Sequence, residues 1–301
     1  MSRGVAITGM GIISAIGNNV EENYESLLEG KTGISRVSKI KTIHRDDIMV
    51  GEISFTNQEL EHQLGLSSDN NYSRAALLGS IAAKQAIVNA GISNINKYKT
   101  GLISSNSVGG MDMTEAHFYD YFKNEAIQKY INGHHSGDSS QKIAEQLGLE
   151  KSFVTTISTA CSSSANAIML GARLIKSGQL DRVIVGGVDC LTKFTINGFK
   201  SLMILSDTFN SPFDEDRKGL NLGEAAAFLV LESDKVLQAK NKPVLGYVKG
   251  YANTNDAYHQ TASSDNGDGA TLAMEKALKV AQLSSKDITY INAHGTATIN
   301  N

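Results

Sequence analysis

Apolar runs of strand length recur along this chain, at residues 5–9, 100–104, 153–159, 182–188, 225–231, 244–251 and 287–293, with helix-period patterns between several of them. Such alternation confines a chain to α/β layers, helices packed around a mostly parallel sheet. Asn19 is placed to cap a first helix carrying Val20, Tyr24, Leu27 and Leu28, which stops at Gly30. Residues 73–90 read as a strongly apolar, buried helix, and 269–283 carry Leu272, Ala273, Met274, Ala277, Leu278 and Val280 as a second buried face. The 301 residues suffice for one large domain or two ordinary ones. Lys240-Asn241-Lys242-Pro243 is the best internal boundary, because a second strand–helix–strand series starts after it. That gives a first unit of residues 1–241 and the beginning of another over 242–301. Residues 105–152 break the alternation with Gly109-Gly110, the aromatics Phe118, Tyr119, Tyr121 and Phe122, and the polar run Gly133-His134-His135-Ser136-Gly137-Asp138. This excursion is expected to cover a pocket or a partner.

Cys161 is the strongest chemical signal. The segment 153–159 runs straight into Thr159-Ala160-Cys161-Ser162-Ser163, and a helical pattern (Ala165, Ile168, Met169, Ala172, Ile175) leaves it and closes at Gly178. A thiol where a strand hands over to a helix meets free N–H groups and a dipole that favour thiolate. Small neighbours let a substrate come close. The other cysteine, Cys190, follows Val188-Asp189 at a strand end and reads as a small, semi-buried residue. With no signal-peptide pattern at Met1-Ser2-Arg3-Gly4-Val5, reduced thiols in a cytoplasm are the better expectation than a disulfide.

His294 ends the apolar run of Ile291-Asn292-Ala293-His294-Gly295-Thr296. Sites collect at strand ends of α/β sheets, so a Cys and a His at two such ends could pair; a satisfied structural His fits the spacing equally well. Glu224 opens an apolar strand after the charged turn 214–217, and a partly buried carboxylate needs a partner, so it more naturally organises a site than reacts. Gly9-Met10-Gly11 lacks the third glycine of a dinucleotide loop where it is needed. The histidines show no metal spacing: His134 and His135 would point apart on a strand, and Cys161 and Cys190 are too far apart for a CxxC site. Net charge is -3, which gives no reason to expect nucleic acid, and no apolar run is long enough to span a bilayer.

The motifs, in order, resemble the elongating β-ketoacyl-acyl-carrier-protein synthases. Val5-Ala6-Ile7-Thr8-Gly9-Met10-Gly11 looks like their opening strand and Thr159-Ala160-Cys161-Ser162-Ser163 like their nucleophile motif. Pro212-Phe213-Asp214 through Gly223-Glu224, Asn255-Asp256-Ala257-Tyr258-His259 and Asn292-Ala293-His294-Gly295-Thr296 follow in family order. The resemblance implies a thiolase-like layered αβαβα fold, with a complete N-terminal half carrying Cys161 and only the start of the C-terminal half. It also implies a cytoplasmic homodimer, acyl-carrier protein as partner, and no cofactor. The implied reaction is a decarboxylative condensation: an acyl group rides on Cys161, and the carbanion from malonyl-carrier protein attacks it, in fatty-acid or polyketide-type elongation. Cys161 and His294 are the implied catalytic residues. Val108, Gly109, Glu224, Thr296 and Thr298 are the implied pocket and support residues, with an ordinary core Val as the competing account of Val108.

Two departures qualify the resemblance. The family's second histidine, the lysine before it and a Gly-Phe-Gly-Gly loop would fall beyond Asn301, so little condensing activity is expected of these 301 residues alone. The segment 67–74 is also poor in basic residues, which leaves Arg45, Lys200 or Arg217 for the carrier contact. Two other identities compete with the synthase. A non-catalytic partner subunit of a paired synthase would lack the nucleophile, so Cys161 favours the enzyme. A thiolase or initiating synthase is disfavoured by Asn292-Ala293-His294-Gly295-Thr296.

Overall fold

The computed structural model describes residues 4–240, 243–259 and 263–299. Its strands are β1 (Val5–Ser14), β2 (Ile34–Arg36), β3 (Met49–Gly51), β4 (Thr100–Ser105), β5 (Phe153–Ile157), β6 (Arg182–Asp189), β7 (Leu222–Gly223), β8 (Ala225–Glu232) and β9 (Gly246–Val248). Its α-helices are α1 (Val20–Leu28), α2 (Asn57–Leu64), α3 (Arg74–Asn89), α4 (Met111–His117), α5 (Gln128–Ile131), α6 (Ser136–Leu147), α7 (Ser163–Lys176), α8 (Lys193–Ser201), α9 (Asp234–Lys240) and α10 (Asp268–Ala281). The main sheet has the order β5-β4-β6-β8-β1-β9, and a small sheet has the order β2-β3-β7. β4 pairs in parallel with β5 and β6, whereas β8 is antiparallel to both β6 and β1, and β9 is antiparallel to β1, so the sheet is mixed and not mostly parallel as expected.

Alternation along the strands sorts side chains to two cores. Leu102, Ile184 and Val230 face α3 and α6, joining Leu77, Leu78, Ala82 and Ile143. Their neighbours Ile103, Val183, Val185 and Leu231 face α7, against Ala167, Ala172 and Ile175. Fully burying each such aliphatic side chain contributes about 1.5–3 kcal/mol. One charged pair spans this core: Arg182 on β6 lies opposite Glu232 on β8 in register, and its Nε donates to Oε1 at 2.7 Å with both side chains fully enclosed.

The helix expectations hold for α1 and α3. The Asn19 side chain accepts from Glu22 N–H as the α1 cap, and α3 is buried at nearly every position from Ala75 to Ala83. The second strand–helix–strand series differs from expectation. β9 keeps only Gly246–Val248 of the run 244–251, and it completes the first sheet by pairing with Val5–Ile7 instead of starting another. Residues 288–293 form no ladder; a 3₁₀ turn at Ser285–Asp287 leads into extended chain. The expected buried face of α10 is open, with Leu272, Met274 and Val280 all exposed. The reason is what lies beneath it: the helix packs on Gly250 through Ala277 and Ala281 and on Asp256 through Gly269, and among the described residues no second sheet supports it. Of the proposed boundary, Asn241 and Lys242 lie outside the described residues.

α3 crosses β1 so closely that a Cβ on Gly11 would overlap the Ala82 carbonyl oxygen and sit 2.6 Å from Ala86 N. Backbone atoms cannot yield as a flexible side chain can. Gly11→Ala is expected to lower stability by about 1–3 kcal/mol, read as a shift of the urea midpoint at unchanged slope.

Candidate active site

The parallel strands β4, β5 and β6 end on one side of the sheet, where ligands collect in α/β folds. β5 passes into α7 through Ser158-Thr159-Ala160-Cys161-Ser162, with Ser162 as the helix N-cap. Ala160 adopts φ 51°, a left-handed conformation that costs a non-glycine residue of order 1–3 kcal/mol. Short polar side chains hold the kink. Ser163 Oγ donates to Ala160 O at 2.6 Å and accepts from Thr159 N–H at 2.8 Å. Ser162 Oγ donates to Thr159 O at 2.8 Å, and Asn166 Nδ2 to Thr159 Oγ1 at 2.9 Å. Cys161 rides on this turn, exposed and in no disulfide, just ahead of a 14-residue helix whose cap makes no side-chain hydrogen bond. Arg173 and Lys176 occupy the last turn of α7, where they complement its dipole.

The end of β4 is tied to the same place. Ser105 Oγ lies 3.0 Å from Ser164 Oγ at the start of α7, and Ser107 donates from N–H and Oγ to Asp189, at 2.8 and 2.9 Å, at the end of β6. Burial pushes the Asp189 carboxyl up, against the pull of those bonds. Next come Val108, half-buried, and Gly109-Gly110. The excursion after β4 returns onto these glycines: Gly110 N–H donates to Gly133 O at 3.0 Å, and Asn106 Nδ2 donates to Ser136 O at 2.9 Å. Gly109 has φ 61°, and a Cβ there would lie 2.7 Å from His134 O, so only glycine suits the turn.

A depression of about 370 Å³, open to solvent, lies between these segments, lined by Val108, Met111, His134, His135, Ser158 and Phe194 among others. Ser158 belongs to the nucleophile turn, so the cavity that holds Val108 runs up to the residues leading into Cys161. The excursion therefore contributes to the lining of this open depression. The two histidines were expected to point apart on a strand. They instead form the end of a 3₁₀ turn and the cap of α6, and both line the cavity. Their position follows from tertiary contacts that no local spacing encodes.

Glu224 is more deeply buried than expected, at 5% exposure, and it is fully partnered. Arg74 donates Nε to Oε2 at 2.8 Å and Nη2 to Oε1 at 2.6 Å, while Ile53 N–H reaches Oε1 at 2.9 Å and Leu191 N–H reaches Oε2 at 3.3 Å. Burial opposes the charge on Arg74, but Glu224 more than offsets this and holds its pKa above the ordinary value. Asp112 accepts from Arg74 N–H at 2.9 Å, and burial raises its carboxyl. Glu115 accepts from Lys193 and Phe194 N–H, at 3.1 and 2.6 Å, and so sets the aromatic that borders the Val108 cavity. The sequence reading missed Arg74, Asp112, Glu115 and Phe194. Acidic residues spaced to reach two helix N-termini were the available signal.

His294 is exposed and forms no hydrogen bond to Cys161 among the described residues. Its segment is held by the acidic turn: Gly295 packs on Pro212 and Phe213, and Arg217 donates Nε to Thr298 O at 2.9 Å and Nη2 to Ile299 O at 2.6 Å. Thr296 and Thr298 face each other with their hydroxyls 2.9 Å apart. The Arg217 guanidinium is thereby engaged within the chain, with Nη1 on Asp214 O. Among the described residues no group of three His, Cys, Asp or Glu side chains could hold a metal ion. No helix there is long and apolar enough to cross a membrane.

Residues 2–236 match the family described as "Beta-ketoacyl synthase, N-terminal domain", and residues 245–301 match "Beta-ketoacyl synthase, C-terminal domain". The chain belongs to the β-ketoacyl synthase family. It is 31% identical to 3-oxoacyl-[acyl-carrier-protein] synthase 2 of Staphylococcus aureus (strain COL), over 98% of this chain and 73% of that protein. It is 28% identical to the synthase 2 of Vibrio cholerae, over 98% of this chain and 74% of that one. Among solved structures, the ishigamide ketosynthase/chain length factor superposes with a TM-score of 0.89 at 27% identity, over 99% of this chain and 75% of that chain. The ketosynthase ApeO in complex with its chain length factor ApeC, from Xenorhabdus doucetiae, has a TM-score of 0.83 at 30% identity, over 99% of this chain and 73% of that chain. These likenesses establish the thiolase-like layered fold of ketosynthases.

Two predictions follow from burial and pairing. Iodoacetamide at neutral pH is expected to modify exposed Cys161 and spare Cys190, whose thiol burial pushes well up, as peptide mapping by mass spectrometry would read. Glu224→Ala would strand the Arg74 charge and should cost about 3–5 kcal/mol in urea denaturation.

Proposed function

We propose that this protein is an elongating 3-oxoacyl-[acyl-carrier-protein] synthase. Cys161 accepts the acyl group from acyl-carrier protein: a new S–C bond forms at Sγ and the carrier thiol leaves with the proton. Malonyl-carrier protein then loses carbon dioxide. Its carbanion attacks the acyl carbon, a C–C bond forms and the Cys161 thiolate departs, leaving a 3-oxoacyl thioester two carbons longer. The Cys161 N–H supplies one donor to the developing oxyanion, and His294 is one of the histidines that stabilise the enolate. Val108 and Gly109 line the acyl pocket, and Glu224, Thr296 and Thr298 support the site. The observation that carries this reading is Cys161 itself, exposed on a strained strand-to-helix turn beside the Val108 cavity, in a chain akin to synthase 2 enzymes.

Residues 1–241 form the nucleophile-bearing half and 242–301 begin the other, in a cytoplasmic protein that acts on acyl- and malonyl-carrier proteins. Dimerisation is supported by β5, an edge strand with one side unpaired and Phe153 exposed. The second reading is a paired assembly, favoured by the kinship to ketosynthases solved with a chain length factor. In that assembly Cys161 marks this chain as the nucleophile-bearing member.

Incubation with carrier protein loaded with an acyl thioester should add one acyl mass to the protein, and Cys161→Ala should lower that acylation by at least about a thousandfold. Acylation that persisted in Cys161→Ala would overturn the assignment.

A further inference from the structure

Ser163 grips the strained torsion of the turn at Cys161 from both sides. Its Oγ accepts from Thr159 N–H at 2.8 Å, ahead of Ala160, and donates to Ala160 O at 2.6 Å, behind it. The left-handed φ of Ala160, 51°, lies between those two bonds. Ser163 N–H adds a second bond to Ala160 O at 3.1 Å, and the residue is buried, at 4% exposure. Asn166, also buried, braces the outer side of the turn, its Nδ2 reaching Thr159 Oγ1 at 2.9 Å and Ser162 Oγ at 3.3 Å.

What these bonds fix is the peptide between Ala160 and Cys161. A trans peptide is planar, with its N–H and C=O directed oppositely. Anchoring Ala160 O on the first residue of α7 therefore aims Cys161 N–H the other way, and that N–H has no hydrogen-bond partner among the described residues. A left-handed φ is costly for alanine, and a return to negative φ would swing this peptide and its N–H with it. Nucleophilic displacement by the thiol needs only the sulfur, whereas acyl transfer also needs a donor aimed at the oxygen that gains charge. We propose that Ser163, braced by Asn166, is a positioning residue that aims the Cys161 N–H at the thioester oxygen during acyl transfer. In that step Sγ bonds to the acyl carbon and the carbonyl π electrons move to oxygen, where the oxyanion accepts from Cys161 N–H. The carbonyl then re-forms as the carrier sulfur leaves with the C–S electron pair and takes up the proton that Sγ gave up. Ser163 and Asn166 act through the turn and touch none of the reacting atoms. The inference rests on the condensing-enzyme reading and names the side chains that set its oxyanion donor.

The test separates the N–H from the thiol. The N-acetylcysteamine thioester of octanoate acylates Cys161 through an oxyanion, while iodoacetamide alkylates the same sulfur by displacing iodide, with no oxyanion formed. Both rates are followed by intact-protein mass spectrometry. Ser163→Ala keeps the backbone bond to Ala160 O, so acylation should fall about tenfold, short of the hundredfold or more that loss of a whole oxyanion donor costs, with alkylation unchanged within about twofold. Asn166→Ala should split the two reactions in the same direction by a smaller factor, and it decides the matter where Ser163→Ala does not fold. Equal losses in both reactions would mean that the bonds place the thiol and not the N–H, and no loss in either would leave them without a part in the reaction; each result overturns the proposal alone. Failure of the thioester to modify Cys161 in the unaltered protein would overturn the condensing-enzyme reading and the proposal with it.

Discussion

The buried pair of Arg74 and Glu224 fixes the relation between elements that the chain contributes far apart. Arg74 is the first residue of α3, and its guanidinium also donates to Asn57 Oδ1 at 2.7 Å and Phe55 O at 3.1 Å. Glu224 stands at the head of β8 and gathers the backbone N–H groups of Ile53 and Leu191. Burying two charges costs several kcal/mol per ion, and a pair offsets this only when every lone pair and proton finds a partner. Here the remaining polar atoms are met by main chain and by the Asn57 side chain, so the pair specifies one arrangement of α3, β8 and the loops before α2 and α8. α4 is then slung between two helix N-termini, Asp112 on Arg74 N–H and Glu115 on Lys193 and Phe194 N–H. The Met111 and Phe194 sides of the depression are therefore set by carboxylates that do not line the turn at Cys161.

The nucleophile turn solves a different problem. A thiol has to stand clear of the sheet while its chain reverses from strand to helix within a few residues. The left-handed Ala160 achieves that reversal, and its strain is tolerated because Thr159, Ser162, Ser163 and Asn166 over-determine the turn. Larger side chains at these positions would crowd the approach to Sγ, and apolar ones would leave the kinked carbonyls of Thr159 and Ala160 unpaired. The serines around Cys161 are in this sense structural members of a reactive site.

What was legible in the sequence is what local periodicity controls. Strands β1, β4, β5, β6 and β8, the Asn19 cap and the burial of α3 all follow from patterns within one element. The fates of 244–251, 269–283 and 287–293 depended on what they would pack against, and the same apolar pattern serves a covered or an open helix. β9 found the edge of β1, whereas α10 and the chain after Asp287 have no sheet beneath them among the described residues. Glu224 could be read as buried from its apolar neighbours, but its partner lies 150 positions away. His134 and His135 fall in the excursion expected to cover a pocket or a partner, but their spacing does not say which way they face. Their place in a cavity wall arises from the return of the long excursion onto Gly109-Gly110, a contact without a local signature.

The two cysteines show how far one fold separates the same functional group. Cys190 follows the end of β6 and is fully enclosed, and burial first, then the carboxylates of Asp112 and Glu224, push its thiol up against the opposing charge of Arg74. The network that orders the cavity walls thus also keeps that sulfur protonated and inert. Cys161 lies beyond the end of β5, the other outer strand of the parallel trio, where the chain turns into α7 outside the core. Its sulfur meets solvent and the open first turn of a helix instead of carboxylates. The exposure of each thiol is thus decided by what covers its strand end.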